Sequence, residues 1–242
     1  MTCPICQSPV LESFDDLRRC ARCAHVFQHP PVVTARYDAA YVATYDRYPS
    51  DRMSLLRVGF LKAFAPSGRL LDIGYGNGAF IREAEAAGFE AFGFDVHGVP
   101  RGVREIDLAR DRSTWDVVTC FDSLEHVADF APLRSLWRRA RLALVSAPLT
   151  PSRFPSDRGW KHYKAGEHLH YFSPASLARR GKSAEFGHRR RQKRGAVAFD
   201  RPGSQDVQRD PGTPCPGRGI RSFRGSAAPA AYLHLAPGGE GR

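Results

Sequence analysis

The chain has 242 residues, 42% of them hydrophobic, enough for one domain of catalytic size with a true core plus a small extra unit. It has no apolar run of about 18 residues, which excludes a membrane-spanning helix, and no basic start followed by an apolar stretch, so a cytoplasmic protein without a secretory leader is expected. The formal net charge is +11; residues 182–242 hold 12 Lys/Arg against 5 Asp/Glu, a net +7, so residues 1–181 carry only +4, too little to mark the body of the chain as a nucleic-acid binder.

Four of the six cysteines open the chain as two pairs, Cys3-Pro-Ile-Cys6 and Cys20-Ala-Arg-Cys23, with 13 residues between them. Each pair forms a tight turn that presents two thiolates to one ion, and two facing turns provide the tetrahedral sulfur set that suits zinc. The intervening QSPVLESFDDLRR is long enough for a hairpin. A unit of about 25–30 residues buries too little apolar surface to fold alone, so the metal would supply its folding energy. A redox pair is the competing reading, but that chemistry needs one CxxC at a strand–helix junction. With four thiolates filling the site, His25 and His29 are expected at the surface. Residues 1–30 are therefore read as a zinc ribbon.

Residues 31–66 read as a helical linker: a Tyr-rich stretch at 37–48, then a helix over SDRMSLLRVGFLKAF, broken by Pro66-Ser67-Gly68. Residues 69–73 form a short buried strand, and Gly74, Gly76 and Gly78 make a turn. A helix follows over 77–87, with Ala79, Phe80, Ala84 and Ala87 at helical spacing, and Gly88 ends it. A second strand at 90–94 closes on Asp95. This is a βαβ unit with a glycine turn and an acid about 20 positions on, the arrangement that binds a nucleoside cofactor. The acid placed before the first glycine, Asp72, sets it apart from a dinucleotide turn: a carboxylate there suits a positively charged ligand rather than a pyrophosphate.

Further strands are expected at 103–106, leading to Asp107, at 115–121, leading to Asp122-Ser123-Leu124-Glu125-His126-Val127, and at 142–146. Cys120 lies inside the fourth strand as a core thiol. A helix is expected over 131–139.

The string LDIGYGNG resembles motif I of the class I S-adenosylmethionine-dependent methyltransferases, with Tyr75 in place of the usual small residue. WDVV…SLEHV resembles the motif after strand four in small-molecule members of that family. EHLHYFS, after strand five, resembles a group of bacterial methyltransferases with an N-terminal zinc-binding region. The resemblance covers about residues 1–180. It implies an α/β fold: a Rossmann-like sheet with helices on both faces, preceded by the ribbon. It also implies S-adenosylmethionine as cofactor, held in a core spanning 67–180. The implied contacts are Asp72, Gly74, Gly76, Asn77, Gly78, Asp95, Val96, Asp107, Phe121 and Asp122, with Asp95 on the ribose and Asp107 on the adenine amino group. Methyl transfer asks the protein to position the acceptor and remove its proton, and the candidate groups are Glu125, His126, His168 and His170; Tyr171 is a further one.

Three functions stay open at this point. One is a methyltransferase for a small molecule such as a sugar or another metabolite. The second is an RNA methyltransferase that reads RNA through the ribbon; the low charge of the body and the lack of an NPPY-type motif after strand four weigh against it. The third is a non-catalytic ribbon protein with a degenerate core.

After Leu177 the text changes character. Residues 182–242 contain 10 Gly and 6 Pro, and no pair of alternating strands is readable. Residues 181–242 are therefore expected to be a disordered Arg/Gly/Pro-rich tail, and strands six and seven of the family sheet are expected to be missing. An unpatterned run of this composition is what a GC-rich gene yields out of frame, so a frameshift is placed between about Leu177 and Gly187.

Overall fold

The computed structural model describes residues 1–34, 50–98 and 102–180, and the backbone of residues 196–197 and 230–234. The Tyr-rich stretch at 37–48 and nearly all of the tail, with the frameshift expected at its start, lie outside these residues.

The glycine-turn unit folds locally. Strand β4 (Gly68–Ile73) runs into helix α2 (Ala79–Ala86) and then β5 (Phe89–Phe94), and β5 pairs parallel with β4 from Gly68↔Phe89 to Ile73↔Phe94. Strand β6 (Trp115–Phe121) pairs parallel on the other side of β4, and β7 (Ala140–Pro148) parallel beside β6. Parallel strands need covering on both faces. Helices α1 (Ser50–Lys62) and α2 cover one face, burying Val58, Leu61, Phe80, Ile81 and Ala84 against Leu70, Val117 and Leu144. Helix α3 (Ala131–Arg138) covers the other, packing Leu133, Leu136 and Trp137 on Leu71, Val118, Cys120 and Val145. The alternation of Val117 and Val118 between the two clusters is the period-two signature of a strand buried on both sides.

The expected third strand at 103–106 is reduced to a single parallel bridge, Gly93↔Glu105. Its stretch is bounded on one side by left-handed Gly102 and on the other by Asp107, whose carboxylate accepts the Ala109 amide and turns the chain. The expectation that the sheet stops at β7 is also corrected. The AAYLH segment, β10 (Ala230–His234), lies antiparallel along β7, and Ala196–Val197, β9, lies parallel to β10. An open strand edge attracts any short extended apolar segment of the chain. The result differs from the antiparallel hairpin that strands six and seven would form.

The N-terminal unit is a hairpin of β1 (Leu11–Phe14) and β2 (Leu17–Cys20) followed by β3 (Val26–Gln28). Its fourth strand comes from far along the chain: β8 (His170–Tyr171) pairs antiparallel with β3, Val26↔Tyr171 and Phe27↔His170. Cys3, Ile5, Cys20 and Cys23 share one buried cluster with α3 and Phe172. This addition overturns the expected surface position of His25, which is fully buried because β8 covers it; His29 is half-buried.

Candidate functional site

Two quasi-equivalent turns bring the four thiols together. Gln7, after Cys6, and Ala24, after Cys23, both adopt left-handed backbone, and each returns its amide to the carbonyl of the first cysteine of its pair, Gln7 to Cys3 and Ala24 to Cys20. The four sulfurs lie within 4.8 Å of one another; Cys3 and Cys23 are 3.7 Å apart, Cys6 and Cys20 3.5 Å. A tetrahedron with metal–sulfur bonds of about 2.3 Å has edges of about 3.8 Å, so the set is already near the size zinc demands. The Cys23 thiol beside Cys3 holds the Cys3 thiol down at about 5, while Cys3 and burial push Cys23 up. A cation bound here would have to displace the protons of the thiols it takes as ligands.

The glycine turn is shaped by sterics. Gly74, Gly76 and Gly78 all have left-handed backbone, and a Cβ on Gly74 would collide with the Ser123 hydroxyl. Asp72 is buried at the end of β4, and its Oδ1 accepts from Thr119 Oγ1 at 2.6 Å. Burial raises its carboxyl to about 7; the Thr119 hydrogen bond and the Arg57 charge act in the opposite direction. Asp95 accepts the Gly76 amide on one oxygen and the His97 amide on the other, both at 2.8 Å. Asn77 Oδ1 accepts the Ala79 amide and opens α2. Val96 is 76% exposed beside Asp95, an apolar residue turned to solvent at the cleft. Asp107 is exposed and pairs with Arg110. Phe121 is buried, edge-on to Phe80. Tyr75 is buried. Its ring lies under Gly93 and Gly98, where a Cβ would approach it to 2.5 Å, and its hydroxyl donates to Glu105.

Sequence reading missed Arg57. From α1 its guanidinium reaches Asp122 Oδ2 at 2.5 Å and lies 4.9 Å above the Phe121 ring. Ser146 Oγ donates to the other oxygen of Asp122. A cation in the middle of a helix whose apolar pattern is weak carries no motif, so nothing in the sequence signals it.

Beyond β6 the chain builds a second wall. Glu125, His126 and His168 come together, with one ligand atom from each within 4.8 Å of the others. The Leu169 amide donates to the Glu125 carbonyl, and this brings the EHLHYFS segment onto the loop after β6. Nδ1 of His126 lies 3.1 Å from the Glu167 carbonyl, and Nδ1 of His168 lies 3.0 Å from the His162 carbonyl. Burial lowers His168 to about 3, helped by His126, and lowers His126 as well. Burial and nearby Asp122 raise Glu125 to about 8. His170 is not in this group. It shares a hydrogen bond with His25 and packs on Phe130 and Phe172. Tyr171 is buried with Phe154 and donates to the Lys164 carbonyl.

A parallel sheet in the order β5-β4-β6-β7, with a glycine turn after β4 and acids ending β4 and β5, is the Rossmann-like arrangement of a class I methyltransferase. The chain belongs to the methyltransferase-domain family, which it matches over residues 45–187, more than half of its length. It is 30% identical over 122 residues to a ubiquinone biosynthesis O-methyltransferase of Hahella chejuensis, an alignment covering 42% of this chain and 50% of that protein. The chain thus spans about half the length of the curated relative it matches. Among solved structures, an S-adenosylmethionine-bound amino pentose methyltransferase from Micromonospora echinaspora matches with a TM-score of 0.37 and 24% identity, over 50% of this chain and 61% of that one. The magnesium protoporphyrin IX methyltransferase of Synechocystis PCC 6803 matches with a TM-score of 0.36 and 21% identity, over 48% and 68%.

Proposed function

We propose that this chain is an S-adenosylmethionine-dependent methyltransferase for a small-molecule acceptor, and that Cys3, Cys6, Cys20 and Cys23 hold a structural zinc ion. The observation that carries the reading is the glycine turn at Gly74 and Gly76 flanked by the carboxylates of Asp72 and Asp95. The cofactor supplies a methyl group already activated on a sulfonium. The chain's part is to bind, orient and exclude water. Asp72 presents a carboxylate to a cationic ligand. Asp95 retains lone pairs for the ribose hydroxyls after accepting its two amides. Val96 and Phe121 offer apolar surface, and Asp107 is the acceptor for an adenine amino group. Arg57, beside Asp122, suits the ligand's own carboxylate. Gly76, with open space where a Cβ would stand, lets the backbone approach the cofactor closely, and Gly74, Asn77 and Gly78 shape the turn around it.

Glu125, His126 and His168, gathered where the EHLHYFS segment meets the loop after β6, are the groups proposed to meet the acceptor. His170 is proposed to act through packing, by joining this segment to the ribbon. Support for a structural ribbon comes from its use of β3 to hold β8, the strand that follows His168.

Calorimetry tests the cofactor. S-adenosylmethionine should bind the wild-type chain, and Asp95→Ala should weaken binding by about 1.5–3 kcal/mol. Binding of NAD in its place would overturn the reading. Incubation with methyl-labelled cofactor and cell extracts should transfer label to a small molecule. Cofactor binding without any transfer would favour a non-catalytic chain. Elemental analysis should find about one zinc per chain.

A further inference from the structure

We infer that Glu125, His126 and His168 form a second metal site, one that takes a divalent transition-metal ion on the acceptor side of the cleft. The three ligand atoms lie within 4.8 Å of one another. An ion with bonds of about 2.0–2.2 Å at their centre therefore requires each to move by no more than about 0.8 Å. The hydrogen bonds of the two histidines fix their tautomers. A backbone carbonyl can only accept, so the Nδ1 of His126 on the Glu167 carbonyl and the Nδ1 of His168 on the His162 carbonyl carry the protons. That leaves Nε2 as the basic nitrogen of each ring, the tautomer that metal-bound histidines adopt when a carbonyl holds their other nitrogen.

The carboxylate supplies an independent observation. Glu125 is 3% exposed, and its Oε2 is buried with no hydrogen-bond partner among the described residues. A buried polar oxygen left unpaired costs about 1–3 kcal/mol and calls for an explanation. A cation held by the Glu125 carboxylate and the two imidazoles provides one. Two imidazoles and one carboxylate, with positions left over, make a set used by zinc, manganese and iron(II), and the open positions are where oxygen donors of an acceptor would bind. Glu167, held by Lys164 at 2.7 Å, lies 3.8 Å from His168 Nε2, and Asp122 adds negative charge to the same wall. The cysteine cluster has all-sulfur chemistry, so the two sites are distinguishable by spectrum.

The site deepens the proposed acceptor-side role of this wall, but its test reads metal binding. Its failure would leave the cofactor reading intact, since that is decided by calorimetry with S-adenosylmethionine. The full chain, loaded with one equivalent of zinc at its cysteines, is titrated with cobalt(II) and followed by equilibrium dialysis and visible absorption. A second equivalent is expected, with the weak bands of nitrogen–oxygen ligation and no sulfur charge-transfer band. Glu125→Gln and His168→Asn, each checked for folding by circular dichroism, should weaken that equivalent by roughly 10–100-fold, while His29→Ala leaves it unchanged. A wild-type chain that takes up no second equivalent overturns the inference. So does a second equivalent that shows sulfur charge transfer, or one retained at full affinity in a folded Glu125→Gln or His168→Asn chain. If neither variant folds, the wild-type stoichiometry and spectrum decide.

Discussion

Nε2 of His25 lies 3.1 Å from Nδ1 of His170, and both rings are buried. The contact joins the second cysteine turn to the segment that carries His168. It is reinforced by the β3–β8 pairing and by Ser173 Oγ, which donates to the Cys23 carbonyl at 2.7 Å. The cysteine unit and the segment that carries His168 are therefore mechanically one piece. Substituting a thiol should be felt at residues 168–173 and much less in β4 and β5. Hydrogen exchange on Cys20→Ser should show faster exchange at the amides of Gln28, Leu169 and Leu177, with the β4 amides unchanged. Uniform loss of protection across the chain would mean that the two parts unfold together.

Asp72 makes stability depend on pH. Its carboxyl ionises at about 7 in the folded chain, because it is buried, against an ordinary 3.8. Between those values the folded chain holds one proton more than the unfolded chain, so stability falls as pH rises through the window and levels off above about 7. The slope is at most about 1.4 kcal/mol per pH unit. Urea unfolding at pH 5 and pH 7.5 should show wild type losing roughly 1–3 kcal/mol more than Asp72→Asn. A cationic ligand at the turn favours the carboxylate. Affinity for S-adenosylmethionine should therefore tighten from pH 5.5 to 8 in wild type and stay flat in the variant.

Tyr75 departs from the small residue of the family motif, and its neighbours make room for it. Gly93 and Gly98 leave no space for a Cβ beside its ring. Gly98→Ala should destabilise the chain by about 1–3 kcal/mol, and by much less in a Tyr75→Ala background. Additive effects in the double-mutant cycle would show that the ring moves aside freely.

Arg57→Ala removes the cation beside Asp122 and Phe121. It should raise the dissociation constant for S-adenosylmethionine by about tenfold, in line with loss of one charge-assisted hydrogen bond. Unchanged affinity would assign Arg57 to holding α1 on the sheet.

The parts of the fold that were legible in the sequence are local. The β4–α2–β5 unit announces itself by a glycine turn and the two periodicities on either side, and β6 falls on residues 115–121 as read. The cysteine turns are legible for the same reason: their spacing is a property of neighbours. What escaped reading is non-local. Two residues, His170 and Tyr171, carry no alternation that marks them as a strand, and their partner lies some 145 positions earlier. His25 therefore looked like a surface residue. Glu125, His126 and His168 were each visible as candidates, but their meeting depends on a return of about 40 residues that no pattern encodes. Residues 103–106 have strand-like composition yet form one bridge, because the chain turns at both ends of them.

The strand exchange between β3 and β8 also orders events during synthesis. The cysteine hairpin is synthesised before its fourth strand, which is made some 145 residues later. At about 5–20 residues per second, that is a wait of roughly 7–30 s. Throughout that interval β3 is an open edge, and Val26 and His25 lack their cover. The zinc ion proposed for Cys3, Cys6, Cys20 and Cys23 would stabilise the nascent hairpin before β8 exists, so zinc supplied during translation, rather than afterwards, should raise the share of this chain that reaches its folded state.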